Sequence, residues 1–292
     1  MSRQVLRVVL DSNVFSESQF QTLAESRFLE LVRRGRVLPV FPAIVLEETV
    51  RAYRREATRA LLLGQWIPYI VVTQVRFCDD MPSIWRRELV EGRGRKASEH
   101  MTSRKQANVV HALQTLAPDG SSPLVAEAVP TWLEGDARLG RRRETSKRLR
   151  EQAARHASGK GLKLHPELCI EEVALHEIRQ EIALALIQRS IATGDRALEP
   201  LHRWQRNPIE FPYFNQSIEN ETYQLVLPQR DQNVRIDVNA QPDLDVLTHL
   251  LRADVLVTNE TAFMPRAFDD IWKPRGKARF TSKEFALLLG KL

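Results

Sequence analysis

Cysteine is almost missing from this chain. Cys78 and Cys169 are the only two among 292 residues, and they are far apart. That scarcity argues against a disulfide framework and against a cysteine-based zinc site, and it fits a reducing, cytosolic compartment. Long apolar runs are missing too: none approaches the ~18 residues a membrane helix needs, so no membrane partner is expected. The opening string from Met1 to Leu6 is too short and too soon charged for a signal peptide. There is no internal repeat and no low-complexity tract. Several catalytic signatures are also absent. No Gly-x-Ser-x-Gly occurs. Gly159-Lys160-Gly161 lacks both the upstream glycine and the Ser/Thr of a phosphate loop. No glycine fingerprint follows Leu10-Asp11-Ser12, which removes a dinucleotide site. His176-Glu177-Ile178-Arg179-Gln180 has glutamine where a zinc-protease helix needs its second histidine.

What is present is a globular composition, 43% hydrophobic and 27% charged, with a net charge of +6. A mild positive excess points weakly toward a polyanion. The charge is concentrated: nine Lys/Arg against two Glu between Arg141 and Lys163 give that stretch alone +7. Arg141, Arg142, Arg143, Lys147 and Arg148 form its densest part and are candidates for phosphate contacts, because neutralising a nucleic-acid backbone needs clustered cations. A solvated helix face is the equal alternative. Trp204, Phe211, Tyr213, Phe214 and Tyr223 can stack on bases, but packing inside the fold is the stronger expectation for them.

Hydrophobic patterning predicts a β–α alternation at both ends. Leu6–Leu10 reads as a buried strand. Ser18–Arg34 carries apolar residues at helical spacing and stops at Gly35. Val37–Phe41 is a second strand, placed at an edge by Pro39. Pro42 opens a helix through Tyr53, a further helix covers Arg54–Gln65, and Ile67–Thr73 reads as a third strand. The alternation then gives way to helical, charged sequence: Thr102–Leu116, Glu134–Ala157 and Pro166–Ile191 read as helices, and Asn207–Leu227 as aromatic loop with some strand. It resumes with a short helix Val246–Arg252, a strand Val255–Thr258, a strand Ala278–Phe280, and a last helix opened by the Thr281/Glu284 capping-box spacing. The expected architecture is therefore α/β, a Rossmann-like parallel sheet sandwiched by helices. It is divided into a first half (1–78), a mostly helical insertion (79–235) and a second half (236–292).

Acidic residues punctuate this frame. Asp11 ends the first strand, Glu48 lies in the helix after the second, Asp243 and Asp245 open the helix before the last main strand, and Glu260 follows that strand. Carboxyl ends of parallel strands are where ligands bind in open α/β sheets. Carboxylates brought together there repel unless protonated or metal-bound. An all-oxygen set suits Mg²⁺ or Mn²⁺. Each acid has an ordinary reading as well: a turn residue for Asp11, a solvated helix position for Glu48, a helix N-terminal residue for Asp243 and Asp245.

The order of these motifs resembles the PIN-domain nucleases. Leu10-Asp11-Ser12-Asn13-Val14 is similar to that family's opening strand with Asp, Ser/Thr and Asn. Val45-Leu46-Glu47-Glu48-Thr49 resembles its second acidic helix, with Glu48 favoured over Glu47, and Asp243 or Asp245 occupies the place of its third acid. Leu256-Val257-Thr258-Asn259-Glu260 has the frame of its last motif, with Glu where the family usually has Asp. The resemblance covers roughly residues 5–76 and 240–290. It implies a PIN-like fold and a Mg²⁺- or Mn²⁺-dependent endoribonuclease, acting on phosphodiester bonds of RNA or single-stranded nucleic acid. Asp11, Glu48, Asp245 and Glu260 would be catalytic and metal-binding, with Asp243 as a further metal candidate and Asn13 and Thr258 orienting them. The insertion would contact substrate or a protein partner. The alternative it leaves open is a PIN-like module that has lost cleavage and only binds nucleic acid or protein within a larger complex.

Overall fold

The computed structural model describes residues 5–48, 69–114, 144, 172–230 and 240–292. In chain order the named elements are β1 (Leu6–Leu10), α1 (Glu17–Glu25), α2 (Phe28–Arg33), β2 (Val37–Val40), α3 (Met81–Leu89), α4 (Ser103–Gln114), α5 (Glu172–Ser190), α6 (Leu198–Arg206), α7 (Pro212–Arg230), α8 (Ala240–Thr248), β3 (Val255–Val257), α9 (Phe263–Ile271), β4 (Ala278–Phe280) and α10 (Ser282–Gly290). The chain divides into two compact units. The first takes residues 1–79, 99–138 and 249–292; the second takes 80–98 and 139–248.

The first unit is α/β. Its four strands form one all-parallel sheet in the order β2-β1-β3-β4, flanked by helices, an arrangement compatible with a Rossmann-like fold. β1 and β3 are the inner strands. Val8, Val9 and Leu10 are fully buried and pair in register with Val255, Leu256 and Val257. This is the apolar signature of a strand covered on both faces. Pro39 lies in β2 at the edge, where its missing N–H breaks no inner ladder. On one side an aromatic cluster joins the helices. Phe28 stacks on Tyr69 at 5.9 Å and meets Phe285 of α10 edge-on, while Tyr69 also meets Phe20 of α1 at 5.4 Å.

Two local expectations change here. The single helix expected over Ser18–Arg34 is two, α1 and α2. Ser26 makes the break: its hydroxyl donates to the Leu23 carbonyl and accepts the Phe28 N–H. Gly35 then ends α2 at φ +63°, a conformation that favours glycine. The strand expected over Ile67–Thr73 is absent; residues 69–72 are helical, while Ile67 and Pro68 lie outside the described residues. Burial of the neighbouring pair Tyr69 and Ile70, with Val72 exposed, follows a helical turn rather than strand alternation. Tyr69 is further tied to α1 by a hydrogen bond from its hydroxyl to the Leu23 carbonyl.

The second unit is helical. Its centre is α7, which packs on α3, α5 and α8. Asn207–Leu227, expected as loop with some strand, is instead a 3₁₀ turn followed by most of this helix. Its polar residues find partners inside the unit. Asn220 donates to the Leu244 carbonyl and to Thr248 Oγ1, Gln224 to Gln241, and Gln241 to Asp245. The free N–H groups at the start of α7 are met by Glu88 of α3, whose two carboxylate oxygens accept from Tyr213 N (3.0 Å) and Phe214 N (2.9 Å). A carboxylate there satisfies orphan donors and complements the helix dipole. Trp204, Phe211, Tyr213 and Phe214 are buried, so packing, not base stacking, is their role. The expected helices over 54–65 and 134–157 fall outside the described residues, apart from Glu144. No helix among the described residues is long and apolar enough to cross a membrane.

Candidate functional site

The parallel sheet brings the ends of β1 and β3 together, because these strands are neighbours running the same way. Asp11 stands at the end of β1. Its backbone N–H still bonds across to the Val257 carbonyl, 3.1 Å away. Its side chain then folds back as the cap of the 3₁₀ turn Ser12–Phe15, accepting the Ser12 N–H at 2.6 Å. Its second oxygen accepts a 2.7 Å hydrogen bond from the hydroxyl of Thr258, the residue just past β3.

Thr258 is the hub of this edge. Besides donating to Asp11, its Oγ1 accepts from Asn13 Nδ2 (3.2 Å) and from the Glu260 N–H (3.1 Å). Asn13 Oδ1 in turn accepts the Asn259 N–H at 2.9 Å. The Asn259 side chain is locked in a reciprocal pair with Ser282, the first residue of α10. One polar network thus joins the turn after β1, the turn after β3 and the start of α10. Thr281 and Glu284 close α10 with the expected capping box.

The electrostatics of Asp11 are unusual. The residue is 4% exposed, and no Lys, Arg or His among the described residues forms an ion pair with it. Burial raises its carboxyl above the ordinary value, and the hydrogen bonds from Thr258 and Ser12 only partly oppose this. Glu260 is half-buried at the same edge, placed there by its backbone bond to Thr258. Glu48 is half-buried in the helical residues 43–48 that follow β2, and Glu47 beside it is the more buried of the two. Asp243 and Asp245 belong to α8 of the second unit. There Asp245 is buried and bonded by Gln241, while Asp243 lies in the first turn. Arg141, Arg142, Arg143, Lys147 and Arg148 lie outside the described residues.

A second cluster in the first unit escaped the sequence reading. Cys78, Glu99 and His249 are all buried, and one ligand atom from each lies within 4.8 Å of the others, so the group could hold a metal ion. The scarcity of cysteine argued against such a site. The three residues are far apart in sequence, and no spacing pattern encodes them. Backbone bonds set two of them side by side: Asp79 N–H donates to the Glu99 carbonyl (2.8 Å), and Cys78 bridges His100 as an antiparallel pair. Glu99 is 1% exposed but surrounded by cationic or protonatable groups. Arg7 Nη2 lies 2.8 Å from its Oε1, His249 Nδ1 lies 3.6 Å from its Oε2, and His100 Nε2 lies 3.8 Å from its Oε1. Burial, reinforced by Glu99, pushes the Cys78 thiol well up, while burial pushes His100 down against the pull of Glu99.

Asp254, just before β3, has a structural role. Its carboxylate accepts the Arg7 N–H, and its own N–H donates to the Arg7 carbonyl. Comparison with protein-family models, curated proteins and solved structures gives no match to this chain.

Proposed function

We propose that the first unit is a PIN-like nuclease domain, interrupted by the helical second unit, that hydrolyses phosphodiester bonds in RNA or single-stranded nucleic acid with Mg²⁺ or Mn²⁺. One observation carries the reading: a buried carboxylate, Asp11, sits at the carboxyl edge of an inner parallel strand with hydrogen-bond donors but, among the described residues, no paired cation. A hard divalent ion fits such a donor. Oxygen ligands suit Mg²⁺ and Mn²⁺, and the ion's charge offsets the desolvation that a hydroxyl and an amide leave uncompensated. In this reading Asp11 holds the ion, with Glu260 and Glu48 contributing from the same strand-end side. Thr258 and Asn13 fix the orientation of Asp11 through their hydrogen bonds. A Mg²⁺ or Mn²⁺ held by these residues would supply activation of a water and stabilisation of charge on the scissile phosphate. The basic stretch Arg141–Lys163 supplies, by its charge, the attraction for the polyanionic substrate.

A second reading, a PIN-like module that binds without cutting, draws on Glu260, which reaches one methylene further than the aspartate expected in that frame. Cleavage of single-stranded RNA in Mn²⁺ by the full chain separates the two. The nuclease reading expects product from the native protein and none from Asp11→Asn. Salt-sensitive RNA binding with no product in either metal would replace it with the binding reading.

A further inference from the structure

We propose that Cys78, Glu99 and His249 bind one zinc ion as a closed, structural site within the first unit. Side chains of these three types supply one sulfur, one oxygen and one nitrogen, and the soft sulfur and borderline nitrogen suit zinc and not the hard ions expected at Asp11. The spacing is close to what zinc requires. Bonds of about 2.0–2.3 Å put tetrahedral ligand atoms roughly 3.3–3.8 Å apart, and His249 Nδ1 already lies 3.6 Å from Glu99 Oε2. The other atoms, within 4.8 Å, need only small side-chain adjustments to close. A further nitrogen, His100 Nδ1, stands 3.9 Å from Cys78 Sγ.

The surroundings orient the set. Arg7 holds Glu99 Oε1 at 2.8 Å, which turns Oε2 toward His249, the arrangement by which an outer partner fixes a metal ligand. The Cys78 N–H is anchored on the Phe41 carbonyl at 2.9 Å. On binding, the Zn–S bond forms as the thiol proton leaves to solvent. The resulting thiolate and the Glu99 carboxylate then balance the two charges of the ion. Exposures of 0%, 1% and 1% keep solvent from these three ligands, and His100 Nδ1 beside Cys78 Sγ supplies the fourth, so the site is closed and stabilises rather than catalyses. The three ligands also stand at chain junctions. The chain leaves the first unit after Asp79 and re-enters it at Glu99 and again at His249. An ion shared by these points closes two long loops at once, where a crosslink removes most entropy from the unfolded chain.

The test uses the full chain. Protein saturated with Zn²⁺ and desalted is expected to retain one zinc per chain, to lose thermal stability on chelation, and to regain it with Zn²⁺ but not Mg²⁺. Replacement by Co²⁺ is expected to give a thiolate-to-cobalt charge-transfer band with tetrahedral d–d intensity. Cys78→Ser is expected to lose both the zinc and the band, whereas Asp11→Asn keeps them, which separates this site from the strand-edge site. Absence of retained zinc, or a cobalt complex without thiolate absorption in the native chain, overturns the proposal. So does a folded Cys78→Ser that holds zinc as the native protein does. If Cys78→Ser does not fold, the cobalt spectrum of the native chain decides.

Discussion

Asp11 and Glu99 are carboxylates buried to similar depth, 4% and 1% exposed, in the same α/β unit, yet their surroundings differ in kind. Glu99 is met by Arg7, His100 and His249 beside a thiol. Among the described residues, Asp11 is met only by the Ser12 N–H and hydroxyl and by the Thr258 hydroxyl. Hydrogen bonds orient a buried carboxylate without cancelling its charge, and burial then raises the pKa. Charge partners cancel it from within the fold. A third carboxylate, Glu88 at 0% exposure, shows a purely structural solution, in which two N–H groups at the start of α7 take both of its oxygens. The contrast separates an acid that waits for a cation at a strand edge from acids whose partners are built in.

That contrast can be broken most forcefully at Asp11. Asp11→Asn keeps the shape and removes the charge. If a metal there contributes several kcal/mol of transition-state stabilisation, the loss in Mn²⁺-dependent RNA cleavage is about 10³-fold. Initial rates with single-stranded RNA measure it, and an unchanged rate removes Asp11 from the chemistry. Thr258→Val is expected to act next. It deletes the hydroxyl that donates to Asp11 while keeping a similar shape, and it weakens Mn²⁺ dependence about 10- to 100-fold, as losses of outer partners do. An identical Mn²⁺ titration of the two proteins would show that the network is merely structural.

Glu88→Ala sharpens the other side of the comparison. Two N–H groups at the buried start of α7 lose their acceptor, at an expected stability loss of about 2–3 kcal/mol in denaturant unfolding. Glu88→Gln, with one remaining acceptor oxygen, should lose less. Equal losses would mean that packing, not capping, fixes Glu88.

The sequence was informative where one local rule decides the outcome. The apolar runs of β1 and β3 marked strands, which the sheet order makes the inner pair, Pro39 marked an edge, and Thr281 with Glu284 marked the last helix start. Asp11, Asn13 and Thr258 were singled out by motif, and the fold places them in one hydrogen-bond network. Reading failed where tertiary burial overrode composition. Ile70, Val71 and Val72 favour a strand, yet Tyr69 anchors a helical turn against Phe20 and Phe28, with Ile70 buried beside it. The stretch from Pro212 onward looked like loop because it is rich in aromatic and amide side chains. As a helix it buries the aromatics, while Ser217, Asn220 and Gln224 bond within the unit. Cys78, Glu99 and His249 could not be found by spacing at all, since only the pairing of Cys78 with His100 and the return of the chain at His249 assemble them.

The smallest expected effect is also the most direct reading of the central claim, that Asp11 is a buried charge awaiting a cation. Its folded pKa is raised, so the folded chain holds the proton more tightly than the unfolded chain. Its contribution to stability is therefore full below the ordinary value of 3.8 and is lost as pH rises through the raised folded value. At neutral pH, without added metal, Asp11→Asn is expected to be more stable than the native protein, an advantage that disappears as pH falls toward the ordinary carboxylate range. Mn²⁺ should reverse the order: at about 100 times Kd it adds ~2.7 kcal/mol to a protein that binds it only when folded. The decisive measurement is thermal unfolding of the native chain and Asp11→Asn at neutral pH across a Mn²⁺ titration. Asp11→Asn is expected to melt higher at the start, and the native chain to overtake it as Mn²⁺ rises. Parallel curves, or a native chain indifferent to Mn²⁺, would contradict that claim.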